Sequence, residues 1–238
     1  MDYHPDTCNE SMASISPLNI EYWALQYSAQ QDDNSTYTNA IRDRTDALER
    51  ARALWDWKDL SRGVNVDDVT DVLTTDELID LLEDSPSDAV GQLADLLVER
   101  GALANRTVVT PAFLLHLADS GPGQYSVRFP IFDVRCWVAY VYLTRRRGGE
   151  RPLPRSATQS PERFGEFSAF FQRTIPEHVE GRRYEQAMFR FGAYISALPS
   201  DTISDIEAHL NELENAISSV YESSGFALTS DSAQGFEY

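Results

Sequence analysis

Residues 107–144 read TVVTPAFLLHLADSGPGQYSVRFPIFDVRCWVAYVYLT. From Thr107 to Ser120 the apolar residues run almost without a break. Pro111 stands where the first turn of a helix tolerates a missing N–H. The segment GPGQYSVRFP carries the Gly and Pro punctuation of a loop. A second apolar helix is predicted from Ile131 to Arg146. Neither run alternates with the period of two that a half-buried strand needs, so the stretch reads as helix, loop, helix.

The same period extends outward in both directions. Upstream, Ser16-Pro17 places a cap and a first-turn proline before LNIEYWALQYSAQ. One long helix is predicted from Thr38 to Leu60, with Ile41, Ala47, Leu48, Ala51, Leu54, Trp55 and Lys58 at spacings of three and four. VDDVTDVL follows, then TTDELIDLLED with Thr75 as its cap and Leu78, Ile79, Leu81 and Leu82 facing inward. Pro86 opens a helix that closes at Gly101. Downstream, Ser160-Pro161 starts SPERFGEFSAFFQRT, and further helices run from Arg182 to Leu198 and from Ile203 to Tyr221. No β-hairpin, βαβ pattern or repeat of 20–50 residues is present. The expected class is all-α. Residues 1–15 and 223–238 read as polar tails flanking a helical region, 16–222, long enough for one domain or two close-packed subdomains.

Composition narrows the function classes. A hydrophobic content of 42% over 238 residues fits a globular chain. No run reaches the ~20 apolar residues of a membrane helix, and no basic segment followed by an apolar core marks a secretory signal, so a cytoplasmic protein without membrane contact is expected. Cys8 and Cys136 read as free thiols, and the scattered histidines offer no metal-ligand spacing; neither metal nor cofactor is implied. The chain has 38 Asp plus Glu, and Lys58 is its only lysine. Acid excess with lysine depletion resembles halophilic adaptation to a cytoplasm at molar salt, where a Debye length of about 3 Å screens the repulsion.

Against a net charge of -18, residues 128–190 hold twelve Arg and seven acids, a local balance of +5. Two readings stay open. The arginines pair with acidic faces of neighbouring helices, or they face a polyanion, with Arg145, Arg146 and Arg147 beside the GG pair, and with Arg135 and Arg151, as phosphate contacts. Asp133, inside an apolar run, also has two readings: a helix N-cap, or a fixed carboxylate that stabilises a developing cation or orients water.

The order ALERARALWDWK, then TPAFLLHLADSGPGQYSVRFPIFDVRCWVAYV, then RRYEQAMFRFGAYISAL resembles divergent members of the helix-hairpin-helix base-excision DNA glycosylases, the 8-oxoguanine glycosylase superfamily. The resemblance covers roughly residues 40–198. Its most telling parts are Phe113 to Val138, with a Phe-Pro-Ile-x-Asp turn, and the Tyr-x-x-x-Met-Phe-x-Phe-Gly-x-Tyr pattern of Tyr184 to Tyr194. It implies a two-subdomain helical fold with a cleft, double-stranded DNA as partner, a role in DNA repair, and a base flipped out of the duplex. Asp133 falls on the key carboxylate position. Phe113, Phe132 and Trp137 would offer a stacking surface, or else pack as core aromatics. Thr110 stands where bifunctional members carry their hairpin lysine, so a monofunctional enzyme is implied. The Gly-h-Gly turn that presents backbone N–H groups to DNA phosphate in the family is missing, a second departure from its pattern.

The alternative is a catalytically silent helical adaptor that docks a protein partner through its acidic C-terminal helix. Two single residues complete the candidates. Lys58 either lays its stem over Trp55 or Trp57, or pairs with Glu21 or another carboxylate. His116 reads as a satisfied, half-buried histidine or as a base.

Overall fold

The structure, a computed structural model, describes residues 18–30, 34–61, 63–144, 152–199 and 202–223, without the side chains of 28–30, 34 and 217–223. The described residues are helices joined by turns, with no strand. An isolated bridge between Gly121 and Gln124 is the sole β-type pairing among them. The helices are α1 (Ile20–Gln30), α2 (Asn34–Asp43), α3 (Ala47–Leu54), α4 (Val66–Thr70), α5 (Thr75–Leu81), α6 (Pro86–Glu99), α7 (Val109–Asp119), α8 (Val134–Leu143), α9 (Pro161–Thr174), α10 (Gly181–Ala197) and α11 (Ile203–Ser223).

Side-chain caps explain most of these boundaries. The Ser85 side chain accepts from the Asp88 N–H ahead of Pro86, and the Ser160 side chain accepts from Arg163 N–H ahead of Pro161. Each satisfies one donor that a helix start leaves orphaned. After α6 the chain reverses at Gly101, whose φ of +76° lies in the left-handed region that a side chain disfavours.

Several expected boundaries are corrected. The single helix expected from Thr38 to Leu60 is two helices and a turn. Asp46 breaks it: one carboxylate oxygen accepts from Leu48 N–H at 2.9 Å and Glu49 N–H at 3.0 Å, founding α3. Its other oxygen accepts the Thr75 hydroxyl. Thr75 is therefore a cross-link, and Thr74 is the cap of α5, in a reciprocal box with Glu77. Ile79 is 49% exposed rather than packed. The helix expected from Ile131 starts three residues later, at Val134, because Asp133 caps it. The helix expected to open behind Ser16-Pro17 starts at Ile20 instead, with the Asn19 side chain accepting from Tyr22 N–H at 3.0 Å; Ser16 and Pro17 themselves lie outside the described residues.

Helix α7 is the buried axis. Every residue from Thr110 to Leu117 is buried, and α7 packs against α3, α5 and α6, while α9 lies on α6. Helix α10 packs against α1 on one side and α8 on the other. One continuous apolar cluster, reaching from Trp23 to Ile206, joins these groups. The α8–α10 contact is unusually close. A Cβ added at Gly192 would lie 1.9 Å from the carbonyl oxygen of Arg135, so these two helices touch backbone to backbone.

Candidate functional site

The loop between α7 and α8 delivers Asp133. The fully buried His116 ties α7 to that loop: its Nδ1 is 2.7 Å from the Phe129 carbonyl, which can only accept, so Nδ1 carries the proton. Its Nε2 then accepts from the Tyr37 hydroxyl at 2.7 Å. Burial holds the ring's pKa down to about 3, against the pull of the Phe129 carbonyl. The Ile131 N–H donates to the Tyr125 hydroxyl oxygen. Arg128 donates to the Leu82 and Asp84 carbonyls beyond α5, and Ser168 on α9 donates to the Arg128 carbonyl. The loop is held from several sides before it reaches the start of α8.

There Asp133 is extended, with φ −153° and ψ −177°. One carboxylate oxygen, Oδ1, accepts from the N–H groups of Arg135 and Cys136, each at 2.9 Å. The other, Oδ2, lies 3.7 Å from the Nζ of Lys58, whose side chain is 6% exposed against 16% for Asp133. The only lysine of the chain is thus buried against the carboxylate that sequence reasoning singled out. Lys58 sits in the turn after α3, where its N–H donates to the Leu54 carbonyl and Asp59 adopts a φ of +62°. Glu21, the other partner considered for it, pairs instead with Arg183.

A second buried pair adjoins the first. Arg182 and Glu185, one turn apart on α10, have side chains only 12% and 3% exposed and are in direct contact. The Arg182 guanidinium lies over three rings, Tyr37 at 4.7 Å and Tyr27 and Trp57 each at 5.3 Å. It also donates to the Tyr27 hydroxyl at 3.1 Å, while its Nε is buried with no hydrogen-bond partner among the described residues. Burial works against the Arg182 charge, but Glu185 and the tyrosines outweigh it and raise its pKa. Burial also raises Glu185, with Arg182 and Lys58 opposing and Asp133 adding to the shift. The same burial raises Tyr27 and Tyr125, lifts Tyr37 to about 12, and pushes the Cys136 thiol well up. Two cations and two carboxylates from three parts of the chain thus meet among neutral hydroxyls.

The remaining candidates are dispersed. Phe113 and Phe132 have no exposure and Trp137 has 8%. Phe132 packs on Phe164 and Phe167 at 5.5 and 5.1 Å. In this conformation none of the three presents a free face. Half-buried Trp57 is adjacent to Lys58 in the chain and lies 5.6 Å from the ring of Tyr37. Arg135 is exposed and lies over Phe189 at 4.6 Å. Arg145, Arg146, Arg147 and Arg151 lie outside the described residues. Thr110 is buried within α7.

Arg182, Glu185, Tyr27 and Tyr37 were not among the sequence candidates. The available signal was an Arg and a Glu at i and i+3 on the face of α10 that carries Tyr184 and Met188, both buried. No family model, curated protein or solved structure matches the chain.

Proposed function

We propose that the protein recognises an altered base in double-stranded DNA and releases it by hydrolysis of the N-glycosidic bond, as a monofunctional glycosylase-like enzyme with Asp133 as the key carboxylate. The observation that carries this reading is the Asp133–Lys58 pair. One carboxylate oxygen is spent on capping α8, the other is turned toward a buried ammonium, and the spacing is 3.7 Å. A carboxylate fixed in this way is preorganised to stabilise an oxocarbenium-like sugar or to take a proton from water. The exposed Arg135 beside it suits a phosphate. The finer expectations belong to the same proposal: a helix-hairpin-helix arrangement with α6 and α7 as its helices, two subdomains meeting near Asp133, and the cytoplasm of a salt-adapted cell.

Two measurements test it. Binding to an undamaged duplex and to one with an abasic-site analogue is compared over a KCl series, with folding followed by circular dichroism. A preference for the abasic duplex that survives molar salt is expected, because stacking and bidentate contacts are less salt-sensitive than counterion release. Asp133→Asn, which keeps the cap, is expected to abolish base release and leave binding intact. Base release at the native rate in that variant removes Asp133 from the chemistry.

A second reading, a catalytically silent adaptor, draws on the arginines. Arg128, Arg163, Arg182 and Arg183 are engaged within the chain, and the three candidate stacking aromatics are packed in the core. Binding to neither duplex by the folded protein would favour it, with the acidic α11 as the docking element for a protein partner.

A further inference from the structure

Lys58, Asp133, Arg182 and Glu185 carry two positive and two negative charges, and none of their side chains is more than 16% exposed. As a set they are neutral. Arg182 and Glu185 come from α10, and Asp133 from the head of α8. Lys58 comes from the turn after α3, whose Trp57 ring lies under the Arg182 guanidinium at 5.3 Å. Tyr27 of α1, Tyr37 of α2 and Tyr125 of the α7–α8 loop stand around the charges, with Cys136 of α8. His116 and Arg50 face Tyr37 from α7 and α3. Because α8 and α10 touch backbone to backbone at Gly192, Lys58 alone of the four stands on a separate element.

A buried set that loses one cation keeps an uncompensated negative charge, which a proton on one of its carboxylates neutralises. The two carboxylates are not equivalent. Asp133 keeps two backbone N–H donors on Oδ1 at 2.9 Å when Lys58 departs. Glu185 is the more deeply buried, and it shares the Arg182 guanidinium with the Tyr27 hydroxyl. Burial already raises the Glu185 pKa, Arg182 and Lys58 oppose the rise, and Asp133 adds to it. Withdrawal of the lysine removes one of the two opposing cations.

We propose that the four charges form a proton-linked latch, in which the turn bearing Lys58 parts from the α8–α10 pair as Glu185 takes up one proton from solvent. Closed, the latch sets the ammonium against Asp133 Oδ2; open, it leaves that oxygen uncovered. Acid therefore favours the open form. The latch does not depend on the base-release reading of the site.

A chain with one lysine reports the latch directly. Protein carrying ¹³Cε-lysine has a single labelled position, followed by NMR in molar KCl. From pH 8 to 5 its signal is expected to pass from a buried to a solvent-like position. The open-to-closed ratio rises by up to about tenfold per pH unit, as one linked proton requires. In Glu185→Gln, which holds that side chain neutral, the solvent-like signal is expected already at pH 8 and does not change with pH. A native signal that stays buried over the whole range overturns the proposal. So does a pH dependence that persists in Glu185→Gln, because the proton then goes elsewhere.

Urea midpoints give the second arm. A carboxyl whose folded pKa is raised contributes stability below that value and loses it as pH rises through it. The shortfall of Lys58→Met against the native protein is therefore expected to shrink as pH falls from 8 to 5. Glu185→Gln in the Lys58→Met background is expected to raise the midpoint at pH 8 and to abolish the recovery at lower pH. A shortfall equal at every pH, or a double variant less stable than Lys58→Met, overturns the latch.

Discussion

Arg50 shows what a single residue does for this fold. Its guanidinium donates to the carbonyls of Arg44 and Leu117 at 2.8 Å each and of Ser120 at 2.6 Å, and reaches Ile41 at 3.4 Å. It thereby closes the ends of α2 and α7 with one side chain. A lysine offers three donors from one point and cannot span four carbonyls. Arg50→Lys is expected to cost about 3 kcal/mol of stability in urea titrations, since it leaves buried carbonyls unpaired. His116 sets a pH dependence. Its folded pKa is about 3 against an ordinary 6.5, so below pH 6.5 the unfolded chain binds a proton that the folded chain refuses. Stability present above pH 6.5 therefore falls as pH drops toward 3. Glu185, raised by burial, acts with the opposite sign, contributing below the ordinary carboxylate range and losing that contribution as pH rises through its folded value. Glu77, held at about 2 chiefly by its hydrogen bond from Arg100, contributes above 4.5 and is lost only as pH falls toward 2. Between pH 6.5 and 5 the His116 contribution falls with pH while that of Glu185 acts in the opposite direction. Urea midpoints are therefore expected to drop more steeply with falling pH in the native protein than in His116→Gln, and the difference between the two profiles reads His116.

At the scale of the element, the starts at Ser85-Pro86 and Ser160-Pro161 were legible because cap and first-turn proline act within four residues. The Asp46 break was not. Ile41, Ala47, Leu48 and Ala51 keep helical spacing across it and are all buried, so periodicity alone continues the helix. What breaks it is Asp46, extended and capping α3 through the Leu48 and Glu49 N–H groups. The Thr75 hydroxyl, 29 residues away, donates to its second carboxylate oxygen. The Thr74–Thr75 exchange has the same origin, since either hydroxyl suits a cap and only the packed structure allots them. Thr74→Ala is expected to lower stability by about 1 kcal/mol through loss of the reciprocal box with Glu77. Gly192→Ala is expected to cost about 3 kcal/mol or more, because its methyl group meets backbone that cannot rotate away. Thermal melts of the two variants, compared with Gly63→Ala, where nothing lies within 4 Å of an added Cβ, separate the packing cost from the general effect of replacing glycine.

For the whole molecule, helical class and the capping of α8 by Asp133 could be read from local pattern, whereas the charged cluster could not. Lys58 and Asp133 are 75 positions apart in the chain, and nothing in the turn WDWK names its partner. The basic segment was legible as charge but not as commitment: Arg128 clamps two carbonyls and Arg183 reaches Glu21 on α1, contacts that exist only after folding. With a net charge of -18, the thermal midpoint is expected to rise as KCl goes from 0.1 to 2 M, because screening removes the repulsion between acidic faces. A midpoint independent of salt would remove the halophilic reading. The α8–α10 contact at Gly192 has a mechanical meaning as well. Two helices in register through their main chains behave as one casting, so Asp133 at the head of α8 and Glu185 on α10 keep a common frame. Lys58 belongs to neither helix: it comes from the turn after α3, where Asp59 adopts a φ of +62°, so the ion pair fastens that turn to the α8–α10 unit.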